Sequence, residues 1–181
     1  MTRYIKGVLV PRDEIRTMCQ RLGEQISADY AEREVTLIGV LKGAYVFMAD
    51  LARYLNIPCC IDFMSVSSYG SGTRSSGVVR ITKDLDTDIT GKHIIIVEDI
   101  VDSGLTLNHL RQLLATRKPA SIAVCTAFDK PERRRINVKV EYVGMQIPDE
   151  FIVGYGLDYD GKYRNLPDVS ILGDDCQGGS K

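Results

Sequence analysis

The sequence of 181 residues predicts an α/β fold with a central, mostly parallel β-sheet flanked by helices. Residues 93–97 (HIIIV) are mostly aliphatic and β-branched, which is typical of a strand buried on both faces of a parallel sheet. Residues 35–41 (VTLIGVL) form a second apolar run, and helix-forming segments separate such runs along the chain. Strands that alternate with helices imply right-handed crossovers, and ligands of such sheets bind beyond the carboxyl ends of the strands.

The other elements follow from apolar spacing and from the positions of Pro and Gly. A helix is predicted to open at Pro11, because apolar residues recur after it at near-helical spacing. The predicted helices are 11–31, 44–55 and 107–117, and the predicted strands are 35–41, 61–67, 78–85, 93–97, 121–128, 140–147 and 151–153. Strand 78–85 is expected in a flap or hairpin. We expect one domain over residues 1–181, with a core at about 7–172 and a polar, mobile tail at 173–181.

Composition excludes several classes of function. The net charge of −1, from 23 basic and 24 acidic residues, gives no global attraction to nucleic acid or to an anionic membrane. Five cysteines without a Cys-x-x-Cys pair, beside only two histidines, argue against a zinc site and are typical of free thiols in a cytoplasmic protein. No signal peptide and no apolar stretch of roughly 20 residues is visible, so no membrane association is expected.

Residues 93–107 (HIIIVEDIVDSGLTL) are the most informative stretch for function. Glu98 and Asp99 stand where a buried strand ends, and a loop with hydroxyl groups and glycine (102–106) then leads into a helix. Outward-pointing amides at a helix N-terminus bind anions, and Gly104 permits close approach of the backbone. Carboxylates fit beside a phosphate if they hold sugar hydroxyls or a hard cation such as Mg²⁺. The stretch predicts a ribose-phosphate ligand; the alternative is a helix that Asp102 or Ser103 merely caps.

This stretch resembles the phosphoribosyl-diphosphate (PRPP) signature of type I phosphoribosyltransferases, without a break from Ile94 to Thr106. The resemblance implies the type I phosphoribosyltransferase fold, with a small hood and a mobile flap loop, and a requirement for Mg²⁺. The residues that it implies for PRPP and 5′-phosphate binding are Glu98, Asp99, Asp102, Ser103, Gly104, Leu105 and Thr106. Asp102 would also be the catalytic base. Some family members carry lysine at the position of Leu105, so a side-chain charge is absent here while the backbone amide remains.

Four further segments resemble the hypoxanthine-guanine branch of that family, in the family's order over residues 7–172. They are 41–44 (LKGA), 68–70 (SYG), 128–130 (FDK) and 148–167 (PDEFIVGYGLDYDGKYRNLP). The roles that the resemblance implies are pyrophosphate binding by Lys42, Gly43 and Arg164, a mobile loop at Ser68 and Tyr69, purine binding by Lys130, Phe151 and Ile152, and metal binding by Glu98, Asp99 and Asp158. It also leads us to predict that the Leu41–Lys42 peptide bond can be cis.

The resemblance implies transfer of 5-phosphoribose from PRPP to hypoxanthine or guanine, in a homo-oligomer (dimer or tetramer). Lys130 can only donate a hydrogen bond, which favours a 6-oxopurine over adenine and leaves xanthine open. Two other hypotheses are a transferase for another base and a regulator that binds nucleotides and RNA. The run Arg133-Arg134-Arg135 could give such a regulator a local basic face.

Overall fold

A computed structural model describes residues 3–68 and 79–174. The helices are α1 (Arg12–Asp29), α2 (Tyr45–Ala52) and α3 (Leu105–Ala115), with a short 3₁₀ helix at Pro131–Arg133. The strands are β1 (Arg3–Val10), β2 (Val35–Leu41), β3 (Cys59–Ser68), β4 (Val79–Lys83), β5 (His93–Val101), β6 (Ser121–Asp129), β7 (Tyr142–Gln146), β8 (Ile152–Val153) and β9 (Val169–Asp174).

The larger sheet has the strand order β4-β3-β2-β5-β6-β7. All its neighbours pair in parallel except β4, which runs antiparallel to β3 and completes the expected hairpin. The predicted α/β class with a mostly parallel sheet is therefore confirmed. β5 lies at the centre, between β2 and β6, so the segments that follow these three strands meet at one edge.

Helices cover both faces of this sheet, which explains why its central strands are apolar throughout. On one face α1 and α2 pack against alternate residues of β2 and β5 such as Leu37, Ile95 and Val97. On the other face α3 packs against the intervening residues, including Ile38 and Ile94. In the part of the chain that the structure describes, no helix is both long enough and apolar enough to span a membrane.

The second sheet is small and antiparallel, with the order β1-β9-β8. It corresponds to the expected hood. Sequence patterns had predicted only its strand at 151–153, and β1 and β9 were not expected. The placement of residues 173–174 in the polar tail was wrong, because Gly173 and Asp174 pair with Tyr4 and Arg3; the rest of that segment lies outside the described residues.

Helix ends were also predicted imprecisely. α3 begins at Leu105 rather than at residue 107, directly after Gly104, whose φ of +81° ends the preceding loop. α1 begins at Arg12, so that Pro11 is the residue before the helix and not its first member. α2 is shorter than the predicted 44–55 by one residue at its start and three at its end. The earlier start of α3 puts Thr106 in its first turn.

Candidate active site

Two acidic side chains lie at the carboxyl end of β5, as the sequence predicted. Glu98 is 8% exposed, and burial next to Asp99 raises its pKa well above the ordinary value for a glutamate. Burial, reinforced by the repulsion of Asp158, raises the pKa of Asp99 to about 6, against the hydrogen bonds from backbone amides and the attraction of Arg164. Both shifts arise because desolvation disfavours the charged carboxylate. A cation beside the pair would stabilise the charged forms.

The loop after β2 meets the acid pair directly. Gly43 packs so closely on Asp99 that a Cβ at this position would overlap the carboxylate. A side chain at this position would have to push the Asp99 carboxylate aside, whereas glycine lets the loop backbone lie against this acid. The Leu41–Lys42 peptide bond is cis, in agreement with the sequence-based prediction. Of the predicted pyrophosphate-binding residues, Gly43 thus stands beside Asp99, a predicted metal ligand. Lys42 directly precedes it and is exposed.

The segment from Asp102 to Thr106, called the cradle below, connects β5 to the first turn of α3, as the sequence predicted. Its backbone turns into α3 at Gly104, and the Ser103 hydroxyl accepts a weak hydrogen bond from the amide of Leu105 at 3.4 Å. Together with Glu98 and neighbouring residues, the loop lines a hollow of about 110 Å³. A water takes up roughly 30 Å³ in the liquid, so this hollow has room for a small anion at the N-terminus of α3.

Lys130 follows β6 and is buried, with 8% of its surface exposed. Because Asp129 pairs with Val101 across the parallel strands, Lys130 is level with Asp102. Its Nζ donates a hydrogen bond of 2.6 Å to the carbonyl of Glu150 and lies 3.8 Å from the carboxylate of Asp149. An ammonium has three N–H groups, so Lys130 keeps donor capacity for a ligand.

The predicted purine-binding residues, Phe151 and Ile152, directly follow Asp149 and Glu150, which Lys130 contacts. Phe151 is 47% exposed, and its ring meets that of Tyr159 edge-on at 5.8 Å between centroids. Ile152 is buried as the first residue of β8. The predicted Phe151 and Ile152 therefore lie close in the chain to the contacts of Lys130.

Asp158 and Arg164 form an ion pair of 2.6 Å, and Arg164 also donates to the carbonyl of Gly156 at 2.6 Å. Gly156 packs on the carbonyl of Gly43, where a Cβ would overlap it. This contact places the Asp158–Arg164 pair beside the loop after β2. The pair is near enough to Asp99 to affect its pKa, as described above.

The predicted mobile loop contained Ser68 and Tyr69. Ser68 is the last residue of β3, on the far side of β2 from β5. Tyr69 lies outside the described residues, as does most of the predicted loop.

A network of ion pairs was missed from the sequence. Arg133 Nε lies 2.8 Å from the Asp102 carboxylate, and Nη1 lies 3.2 Å from Asp149. Arg134 pairs with the buried Asp129. The consecutive arginines were visible, but their run was interpreted only as a surface that could bind RNA.

A separate cavity of about 660 Å³ lies between α1, α2 and residues 164–167. Of the predicted site residues it contains only Arg164. It is larger than the hollow at the β5 loop, but it lacks the acids, the lysine and the glycine loop that bear the chemistry. We therefore place the candidate site at the ends of β2, β5 and β6.

Similarity to known proteins agrees with this geometry. The family described as "Phosphoribosyl transferase domain" matches residues 11–160. Hypoxanthine phosphoribosyltransferase of Salmonella typhimurium is 51% identical over 169 residues, covering 92% of this chain and 95% of that protein. Hypoxanthine-guanine phosphoribosyltransferase of Mycobacterium tuberculosis is 52% identical over 174 residues, covering 93% and 86%.

Solved structures give the same result. The crystal structure of a hypoxanthine-guanine phosphoribosyltransferase from Bacillus anthracis superposes with a TM-score of 0.90 at 45% identity, covering 96% of this chain and all of that one. The signature over 94–106, its location at the end of β5 and these matches lead to one assignment. This chain belongs to the phosphoribosyltransferase family.

Proposed function

We propose that this enzyme acts in purine salvage, transferring 5-phosphoribose from PRPP to N9 of hypoxanthine or guanine to give IMP or GMP and pyrophosphate. One observation carries the proposal: the acids and anion cradle after β5 lie between the glycine loop after β2 and the buried lysine after β6. The three segments offer sites for the diphosphate, the ribose phosphate and the base. The names of the similar proteins support the choice of purine.

The 5′-phosphate is held by residues 103–106, through backbone amides at the start of α3 and the hydroxyls of Ser103 and Thr106. Asp102 is the general base, which takes the N7 proton of the purine as N9 bonds to C1′. The bond at C1′ breaks with cationic character at the sugar, so stabilisation of the leaving diphosphate by Lys42, the amide of Gly43 and Arg164 lowers the barrier.

The acid pair fits Mg²⁺. Carboxylate oxygens are its preferred protein ligands, and sites of this kind use one or two carboxylates together with substrate phosphates. Glu98 and Asp99 would hold the ion together with the substrate, and Asp158 would serve a second ion. When bound, Mg²⁺ neutralises charge on the diphosphate.

Lys130 sets the preference for 6-oxopurines. Its remaining donor capacity suits the exocyclic oxygen of hypoxanthine or guanine and not the amino group of adenine. Phe151 stacks on the purine face, and the backbone of Ile152 meets the 2-position.

The RNA-binding alternative is disfavoured by the ion pairs of its candidate basic face. Arg133 and Arg134 are engaged with Asp102, Asp149 and Asp129, which neutralises much of the charge that a phosphate backbone requires.

We also infer that the enzyme is a single domain over residues 1–181, works in the cytoplasm and forms a dimer or tetramer.

A panel of bases tests the proposal. The protein is incubated with PRPP, Mg²⁺ and one of hypoxanthine, guanine, xanthine, adenine or uracil, and each nucleotide product is quantified. We expect IMP and GMP to form much faster than AMP or UMP, and omission of Mg²⁺ to abolish turnover. Faster formation of AMP or UMP would contradict the role of Lys130. Absence of all products, with salt-sensitive retention of RNA on filters, would favour the regulator.

A further inference from the structure

Arg134 has a position that the proposed chemistry does not use. It follows the 3₁₀ helix Pro131–Arg133, and 19% of its side chain is exposed. One end of its guanidinium, Nη2, pairs with the Asp129 carboxylate, of which 9% is exposed. The other end, Nη1, donates a hydrogen bond of 3.1 Å to the main-chain carbonyl of Asp102. A single planar fork thus joins the last residue of β6 to the first residue of the anion cradle.

The chain around Arg134 supports the same cradle. The amides of Arg135 and Ile136 both reach the carbonyl of Ser103, at 3.0 and 3.4 Å. Gly104 packs against Val138 and the Arg134 side chain, where a Cβ would lie 2.9 Å and 3.2 Å from their nearest atoms. The cradle therefore rests on the segment after β6 and is not a free loop. Arg134 contributes a charged side chain to this support.

What Arg134 joins is informative in light of the proposed function. Asp129 directly precedes Lys130, the residue assigned to the base, while the carbonyl that Arg134 holds belongs to Asp102, the assigned general base. The amide of Lys130 also donates to the carbonyl of Val101, at 3.0 Å. The Arg134 fork and the Lys130–Val101 hydrogen bond therefore fix the separation between Lys130, assigned to the purine O6, and Asp102, assigned to the N7 proton.

We propose that Arg134 is a positioning residue of the transferase, which sets Lys130 and Asp102 at the separation needed to engage one purine ring. This inference rests on the proposed function. Arg134 acts through the carboxylate of Asp129 and the backbone of Asp102, without contacting the substrate itself. Misplacement of reacting groups by about 1 Å can cost on the order of 100-fold in rate. The expected signature is a loss of kcat at nearly unchanged PRPP affinity.

Two substitutions separate positioning from simple support of the fold. Arg134→Gln removes the charge and the fork. Arg134→Lys keeps a charge for Asp129, but an ammonium lacks the planar geometry that serves two acceptors at once. We expect Arg134→Gln to lower kcat with hypoxanthine by about tenfold or more. Compared with Arg134→Gln, Arg134→Lys should restore most of the lost melting temperature but little of the lost kcat. Parallel recovery of both quantities would mean that Arg134 only stabilises the fold.

Arg111 provides a matched control. It lies on α3 with 27% of its side chain exposed, forms an ion pair of 2.8 Å with Glu141 and donates to the carbonyl of Ile122 at 3.2 Å. It therefore has the same kind of contacts as Arg134, but near the start of β6, at the opposite end of the sheet. Arg111→Gln should lower the melting temperature and leave kcat per PRPP-binding site unchanged. For every variant, the maximal rate is divided by the concentration of sites found in a PRPP titration with Mg²⁺, which gives kcat per binding site.

A double-variant cycle tests the route of the effect. If Arg134 acts by placing Lys130 relative to Asp102, the effect of Arg134→Gln on kcat should shrink at least threefold in a Lys130→Met background. Full additivity, or an unchanged kcat in Arg134→Gln alone, would overturn the inference while the wild-type activity stands. Failure of the wild-type protein to make IMP or GMP would instead remove the proposed function.

Discussion

Replacement of Lys130 by Met tests how the enzyme recognises the base. Methionine keeps a long apolar side chain in a buried position but has no ammonium. The described contacts of Nζ are with the carbonyl of Glu150, at 2.6 Å, and the carboxylate of Asp149, at 3.8 Å. Both belong to the segment that leads to Phe151 and Ile152, on the base side of the site. The substitution should therefore affect the purine more than PRPP.

The magnitude follows from the hydrogen bonds that are lost. A hydrogen bond to a charged group contributes about 1.5–3 kcal/mol, and each 1.4 kcal/mol corresponds to about tenfold in an equilibrium or rate ratio. We expect kcat/KM for hypoxanthine and guanine to fall by about 10- to 100-fold. The loss of the bond to Glu150 should also lower the melting temperature by a few degrees, at roughly 2–4 °C per kcal/mol for a chain of this size.

Steady-state kinetics with each base measures kcat/KM, and calorimetric titration of Mg·PRPP measures the affinity for PRPP. Lys139→Met is the control, because the Lys139 side chain is 77% exposed and its Nζ lies 3.5 Å from Glu141, away from the site. Lys139→Met should change neither kcat/KM for the base nor the affinity for PRPP. An equal loss of PRPP affinity in Lys130→Met, or an unchanged kcat/KM for both bases, would refute the assignment of Lys130 to the base.

Three further substitutions probe the other segments. Asp102→Asn should lower kcat with hypoxanthine by about 10²–10⁴-fold, as for loss of a general base, while PRPP titrations stay close to wild type; an unchanged kcat would make Asp102 only a cap. Asp99→Asn should weaken Mg·PRPP binding in calorimetry, and an unaltered affinity would exclude it from the metal site. Gly43→Ala places a methyl group on the Asp99 carboxylate. Such crowding costs about 1–3 kcal/mol, so the KM for PRPP should rise by a larger factor than the KM for the base.

The central sheet could be predicted from the sequence because its strands are buried on both faces. The predicted strand 35–41 coincides with β2, and 121–128 differs from β6 by one residue. The hood was harder, since β1 exposes Tyr4, Ile5 and Val8 and has the polar Arg3 and Lys6 among them. Such a strand is defined by its pairing with β9, whose partner residues lie 159 (Val10↔Val169) to 171 (Arg3↔Asp174) positions further along the chain. No local sequence pattern reports such a pairing.

The acids and the cradle were predicted because they are contiguous in sequence, whereas the arginine network was not. Arginines such as Arg133 and Arg134 usually lie on the protein surface. The short 3₁₀ helix turns these two back towards Asp102 and Asp129. Likewise, Gly43 had been predicted to bind pyrophosphate. That it also meets the carboxylate of Asp99 is a consequence of the β2–β5 pairing.

The topology also explains why the three segments occur in this spatial order. Adjacent strands of a sheet lie about 4.8 Å apart, so the ends of β2 and β6 are separated by roughly 10 Å across β5. Register fixes their levels: Gly39 pairs with Val97, so Leu41 is level with Asp99 and the turn that follows brings Gly43 against it. Val101 pairs with Asp129, so Lys130 is level with Asp102. A phosphoribosyl group at the centre can thus face a leaving group on one side and an incoming base on the other. Because the chain has a net charge of only −1, selection of such an anionic substrate must come from this local arrangement and its cation, not from the field of the whole protein.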